Sequence, residues 1–274
     1  MPRRSAVFRL PVVLRRSAVA ALSGALVLSA FTVPSAHADS GDGDTQVLLA
    51  VVNAGQPVVL GAMTKKTVTL SISASDNSGI KDAYGFLYHG SFDNPDGSAG
   101  PGSDTPLTCT PVAGSTTTST CTAEVTIDPN AMLINANAGT WHIWTSVDAN
   151  DFDYVNKDSA GTFLMKRAAR LTADATPEPV AAGGLVTVKG ALTRANWGKG
   201  GTYGGYAGQS VKLQFRKAGT TGYHTVKTVT SGADGALTAK ATAASSGYWR
   251  WSFTGTDTTG PASAPGDYVP VTAG

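Results

Sequence analysis

The chain has 274 residues, 21 of them basic and 19 acidic. Past residue 38 no stretch approaches the roughly twenty apolar residues of a membrane span, and the basic C-terminal half lacks the aromatic-and-basic motifs of nucleic-acid modules. Gly-x-Ser-x-Gly, His-Glu-x-x-His, phosphate-loop and Cys-x-x-Cys motifs are all missing, so the sequence reads as that of a non-enzyme.

Residues 1–38 read as a cleavable secretory signal peptide. Arg3, Arg4, Arg9, Arg15 and Arg16 lead, an apolar run follows over 18–33, and Ala36-His37-Ala38 ends it. Ala6 and Ala18 stand where a twin-arginine signal wants a bulky apolar residue, so the general secretory route is expected. Removing this leader takes away five Arg and no acid. What remains is divided: the part before Lys166 carries a net charge of −10, and the part from Lys166 onward +7. Residues 39–45 follow as a flexible N-terminus, because Asp42-Gly43-Asp44 lacks the helices and distal Glu of an EF-hand.

Period-two alternation then predicts strands over 46–52, 58–60, 67–74 and 80–89, with Val68, Leu70 and Ile72 inward. Asp76-Asn77-Ser78-Gly79 is a turn and 93–102 a loop. Leu107 and Cys109 share one face, and Cys121 is in phase with Ala123, Val125 and Ile127. In an exported protein these two cysteines are expected to form a disulfide stapling a hairpin. Asp128-Pro129 reads as an N-cap and first position of a helical turn through Ala131, Met132 and Leu133. A central strand over 139–147 turns Trp141, Ile143, Thr145 and Val147 to one face and His142 to the other. An acidic loop over 148–158 and a closing strand over 162–167 complete an acidic Ig-like sandwich, 46–166.

A second, basic Ig-like sandwich, 167–274, is expected from strands over 168–175, 185–192, 210–217, 224–230, 236–243, 247–254 and 267–271. Val211, Leu213 and Phe215 point inward, and Lys212, Gln214 and Arg216 outward. Val226 and Val229 are out of phase, which predicts a bulge or an early strand end. The fold class is therefore all-β, two tandem antiparallel Ig-like sandwiches after a signal peptide.

Several runs in the second half are specific: Ala175-Thr176-Pro177-Glu178-Pro179-Val180, Gly190-Ala191-Leu192-Thr193-Arg194-Ala195-Asn196-Trp197, Val211-Lys212-Leu213-Gln214-Phe215-Arg216, and Gly247-Tyr248-Trp249-Arg250. On these the chain resembles the exported two-domain Ig-like proteins of actinobacteria, and its first half resembles the module that precedes the Ig-like domain there. The resemblance implies the fold and export, and carries over no catalytic residue.

Candidate calcium ligands are Asp76, Asn77, Asp148, Asn150, Asp151 and Asp153, because the two acidic loops belong at the same end of a sandwich and calcium takes six to eight oxygens. The same residues are also ordinary turn formers. Trp197, Tyr203 and Tyr206 sit in a Gly-rich loop and are candidates for stacking on sugars, although the loop should face the first domain and pack there. The chain thus reads as a secreted, extracellular binding or structural module, with calcium at its acidic tip and a cell-wall polymer or extracellular protein as partner. The second reading is a polysaccharide-binding accessory or secreted enzyme using the aromatic loop.

Overall fold

The structure is a computed structural model that describes residues 39–273; the expected signal peptide lies outside the described residues. The first sandwich has ten strands: β1 (Ser40–Asp42), β2 (Gln46–Val52), β3 (Val58–Leu60), β4 (Lys66–Ser75), β5 (Ile80–Ser91), β6 (Asn94–Ala99), β7 (Thr108–Pro111), β8 (Thr118–Ile127), β9 (Gly139–Ala149) and β10 (Tyr154–Arg167). One sheet runs β2-β4-β8-β7. The other runs β1-β10-β9-β5-β6, with β3 parallel to β10. This is the Ig order, A-B-E-D facing G-F-C plus an added C′ strand. Alternation drives it: Val68, Leu70, Ile72 and Ala74 of β4 are buried, as are Trp141, Ile143, Thr145 and Val147 of β9. The Trp141 indole N–H donates to the Asn137 carbonyl at 2.7 Å, which removes the penalty of burying it.

The expected disulfide is present, with Cys109 and Cys121 directly opposite each other on β7 and β8. It points to an oxidising compartment. Closing a loop of 12 residues' separation, it should contribute about 3 kcal/mol through the unfolded chain. Cys109→Ala/Cys121→Ala is therefore expected to lose about that much in urea denaturation, with a larger m because the denatured chain expands. An unchanged midpoint would show that the hairpin needs no staple.

Three readings of this half are corrected. The segment expected to fray is paired, since β1 lies antiparallel on β10. The acidic loop expected over 148–158 shrinks to the turn 150–153: β9 runs on to Ala149, and β10 begins at Tyr154 with a bulge between Lys157 and Gly161. That part of β10 turns polar side chains outward and buries Val155, so its strand period is carried by few apolar residues. The loop over 93–102 contains β6, which tolerates Pro95 because it is an edge strand. The helical turn expected after Asp128 is present: its carboxylate caps the N–H groups of Asn130 and Ala131, and the Met132 N–H donates to the Asp128 carbonyl at 2.9 Å, before a short 3-10 segment, Asn135–Asn137.

The second sandwich comprises β11 (Ala169–Leu171), β12 (Asp174–Thr176), β13 (Val180–Ala181), β14 (Gly184–Ala195), β15 (Tyr203–Gly205), β16 (Ser210–Lys217), β17 (His224–Thr230), β18 (Ala236–Ala243), β19 (Gly247–Phe253), β20 (Ala262–Ser263), β21 (Asp267–Val269) and β22 (Val271–Thr272). Strands β12-β14-β18 face β17-β16-β19, which β20 and β21 extend. Val186, Val188, Leu213, Trp249, Trp251 and Phe253 fill the space between. The bulge falls at Val226, since Leu213 pairs with Lys227 and Gln214 with Thr225.

The Gly-rich aromatic loop closes the junction between the sandwiches. Trp197 is 1% exposed and belongs, with Ala195, to the first core. Its indole N–H is 3.1 Å from the Gly61 carbonyl, and its backbone N–H donates to Asn135 Oδ1 at 2.9 Å. The Arg170 guanidinium covers the Tyr203 ring at 3.7 Å, and Arg194 covers Tyr206 at 4.0 Å. Burial, and then the neighbouring Arg194, push the Arg167 guanidinium down to about 10. It therefore stays protonated at neutral pH, donating to the Ala195 carbonyl and to Asn196 Oδ1. The sugar-stacking role considered for Trp197, Tyr203 and Tyr206 is corrected accordingly: Trp197 is enclosed, and both tyrosines are covered by arginines.

Candidate metal centre

Strand register brings three distant segments to the far end of the first sandwich. Asp42 pairs with Tyr154, Gln46 with Ser75, and Ile80 with Ala149. The connections between those strands must therefore meet. They deliver Asp44, Asp76 and Asp153, each with a carboxylate oxygen within 4.8 Å of the other two. Asp44 is exposed, Asp153 half-buried and Asp76 buried. Gly43 makes the approach possible. It has φ +78, and a Cβ there would fall 1.6 Å from Asp153 Oδ2.

A web of donors fixes the carboxylates. Thr45 Oγ1 donates to Asp76 Oδ2 at 2.7 Å, and the Ser78 backbone N–H and hydroxyl both donate to Oδ1 at 2.7 Å. Asn77 Nδ2 donates to both Asp44 oxygens at 3.0 Å, and the Asp44 N–H donates to Asp153 Oδ2 at 3.0 Å. Asn150 and Asp151 tie the two turns together: Asn150 Nδ2 donates to the Ser78 carbonyl at 2.8 Å, and the Asp151 N–H to Ser78 Oγ at 3.2 Å.

Burial alone would raise the Asp76 carboxyl, but the hydrogen bonds from Thr45 and Ser78 outweigh it and hold the group below its ordinary value. A depressed folded-state value contributes stability that is complete above the unfolded value of about 3.9 and is lost as pH falls through the folded one. Thr45→Val removes the first of those donors. It is expected to move the acid-unfolding midpoint, followed by circular dichroism, to higher pH; an unmoved midpoint would exclude Asp76 as a contributor to acid stability.

Three carboxylates with no basic partner among the described residues repel one another when ionised, and a bound cation would relieve that repulsion. The donor atoms are all oxygen, which suits a hard divalent ion such as calcium or magnesium and does not select zinc or copper. Of the six ligand candidates read from sequence, the structure places Asp76 and Asp153 in the cluster and Asn77 beside it. Asn150 and Asp151 serve the turn–turn contact. Asp148 lies on β9 in register with Asp82 and Tyr154 and does not join. Sequence reasoning missed Asp44, whose signal was the Asp42-Gly43-Asp44 spacing read as a frayed end.

His142 points away from the core as expected, yet it is half-buried: its ring stacks on Tyr88 at 5.1 Å, and Nδ1 lies 2.8 Å from Ser159 Oγ. No family model and no curated protein matches the chain. Among solved structures it is similar to the titin domains Z1Z2 in complex with telethonin, at 14% identity over 86% of this chain and 98% of that one, with a TM-score of 0.23. It is also similar to a Corynebacterium diphtheriae protein proposed to be membrane-anchored, at 12% identity over 84% of this chain and 53% of that one, with a TM-score of 0.25. The Ig-like assignment of both halves accordingly rests on their own strand order and register.

Proposed function

We propose that this chain is an exported, non-catalytic binding module whose acidic tip is ordered by calcium. The observation that carries the reading is the convergence of Asp44, Asp76 and Asp153 from three separate connections, with carboxylate oxygens within 4.8 Å of one another. Export is supported by the disulfide and by the leader-like first 38 residues. The tip sits at the end of β4, β5 and β9 remote from the junction, where an ordered loop surface is free to meet a partner in the extracellular space or envelope.

The test is thermal unfolding of the purified protein in EDTA and in millimolar calcium. A ligand that binds only the folded state at a hundred times its Kd adds about 2.7 kcal/mol, which in a chain of this size corresponds to a rise in Tm of roughly 5–10 °C. No rise in calcium would return the three aspartates to turn chemistry.

A further inference from the structure

The outer face of the second sandwich holds a different kind of site. In register, Arg216 lies opposite Tyr248, Tyr248 opposite Tyr268, and Gln214 opposite Arg250. Tyr223, from the connection before β17, is laid across these strands. The Arg250 guanidinium stands 3.7 Å from its ring centre and Arg216 5.2 Å, while its hydroxyl reaches over Gly266, where a Cβ would lie 2.2 Å away. Arg216 also covers the Tyr248 ring at 4.0 Å, and that ring is 5.0 Å from Tyr268. Both guanidiniums stand over rings and are anchored once by a neutral acceptor: Arg216 Nη1 donates to the Thr220 carbonyl at 2.7 Å, and Arg250 Nε to Gln214 Oε1 at 2.9 Å.

Among the described residues, the ion pairs are Lys65–Asp128, Lys157–Asp39 and His89–Asp96, all in the first sandwich. Neither Arg216 nor Arg250 is paired with a carboxylate, in a half of the chain with net charge +7. An arginine already anchored by a ring and a hydrogen bond loses little side-chain freedom when a planar oxyanion arrives.

We propose that this face binds a carboxylate-bearing polysaccharide, Arg216 and Arg250 engaging the carboxylates and the exposed Tyr268 stacking on a sugar ring. Charge complementarity requires an anionic occupant. The other outward residues of β16 and β19 on this face are Lys212, Gln214 and Ser252, none of them aliphatic, so it lacks the apolar centre of a protein interface. A ligand that is both anionic and built of rings uses both halves of the pattern. Tyr268, 42% exposed beside Tyr248, offers a stacking surface that a bare polyanion would leave unused.

The probe is polygalacturonate, read by affinity electrophoresis and by titration of the purified protein, with neutral dextran and inorganic polyphosphate alongside. Retention by polygalacturonate and not dextran is expected, weakened about tenfold or more by Arg216→Gln/Arg250→Gln and measurably by Tyr268→Ala. Lys189→Gln/Lys240→Gln, which removes the same charge from exposed positions on the other sheet, should bind as the parent does. Circular dichroism and Tm of each variant show that the fold is kept. Equal weakening by both double variants, or binding of polyphosphate as tight as that of polygalacturonate and indifferent to Tyr268→Ala, would reduce the face to general charge and overturn the proposal. No retention, or salt-sensitive self-association that Arg216→Gln/Arg250→Gln abolishes without any polysaccharide binding, would overturn it as well, the latter assigning the face to the acidic half of a second copy.

Discussion

Trp197→Ala is expected to lower stability by about 3–5 kcal/mol, the range for emptying a fully buried large aromatic site, and to loosen the two sandwiches together. The residue lies on a loop of the second sandwich, yet its ring completes the core of the first. Removing it opens a cavity there and strands the Gly61 carbonyl that its indole N–H reaches at 3.1 Å. Urea denaturation followed by intrinsic fluorescence, together with limited proteolysis of the 196–202 loop, reads both effects. Trp197→Phe keeps most of the apolar volume but no donor, and should cost markedly less. A loss below about 1 kcal/mol in the alanine variant, the scale of an ordinary surface change, would mean that the sandwiches are joined by the backbone alone.

Asp44→Asn/Asp153→Asn should show opposite signs in two buffers. In EDTA the double variant is expected to melt no lower than the parent, and above it if repulsion among the three carboxylates dominates, because asparagine keeps an oxygen to accept the bonds from Asn77 and from the Asp44 N–H while removing two negative charges. In millimolar calcium it should melt below the parent, having lost the roughly 5–10 °C that binding adds. Gly43→Ala tests the same tip sterically, since its Cβ would displace the Asp153 carboxylate. Trp197→Ala lies at the opposite end of β4 and should keep its calcium response. A variant that melts below the parent in EDTA would make these aspartates structural hydrogen-bond acceptors rather than a cation site.

Where apolar residues alternate without interruption, the sequence was easy to read. The β4, β9, β14 and β16 cores and the cysteine hairpin follow from phase alone, because one face of each strand must be dry and the other wet; the broken phase at Val226 left a bulge or an early strand end open, and the register shows the bulge. Where a strand carries its period on few apolar residues, the signal disappears: β1 has none, β6 contains Pro95 and Gly97, and the start of β10 buries only Val155. Those are the segments that were read as loop or frayed end. Their pairing is set by neighbours distant in sequence, and that is why Asp44 was missed. The turns at Asp76 and Asp153 were legible as turns that should meet, whereas the choice among six candidate oxygens depended on register. Asp148, one residue before the end of β9, shows how little displacement takes a side chain out of the cluster. The Arg–Tyr face was visible in the outward Lys212, Gln214 and Arg216, but Tyr223 reaches it only by crossing the sheet, which no local period encodes.

The most direct measurement is calorimetric titration of calcium into EDTA-stripped protein, with magnesium in a parallel run and Asp44→Asn/Asp153→Asn as control. One calcium per chain, weaker or no binding of magnesium, and loss of the heat in the variant are the results expected of a metal-ordered tip. Binding heats that persist unchanged in the variant, or no calcium heat in the parent protein, would contradict it.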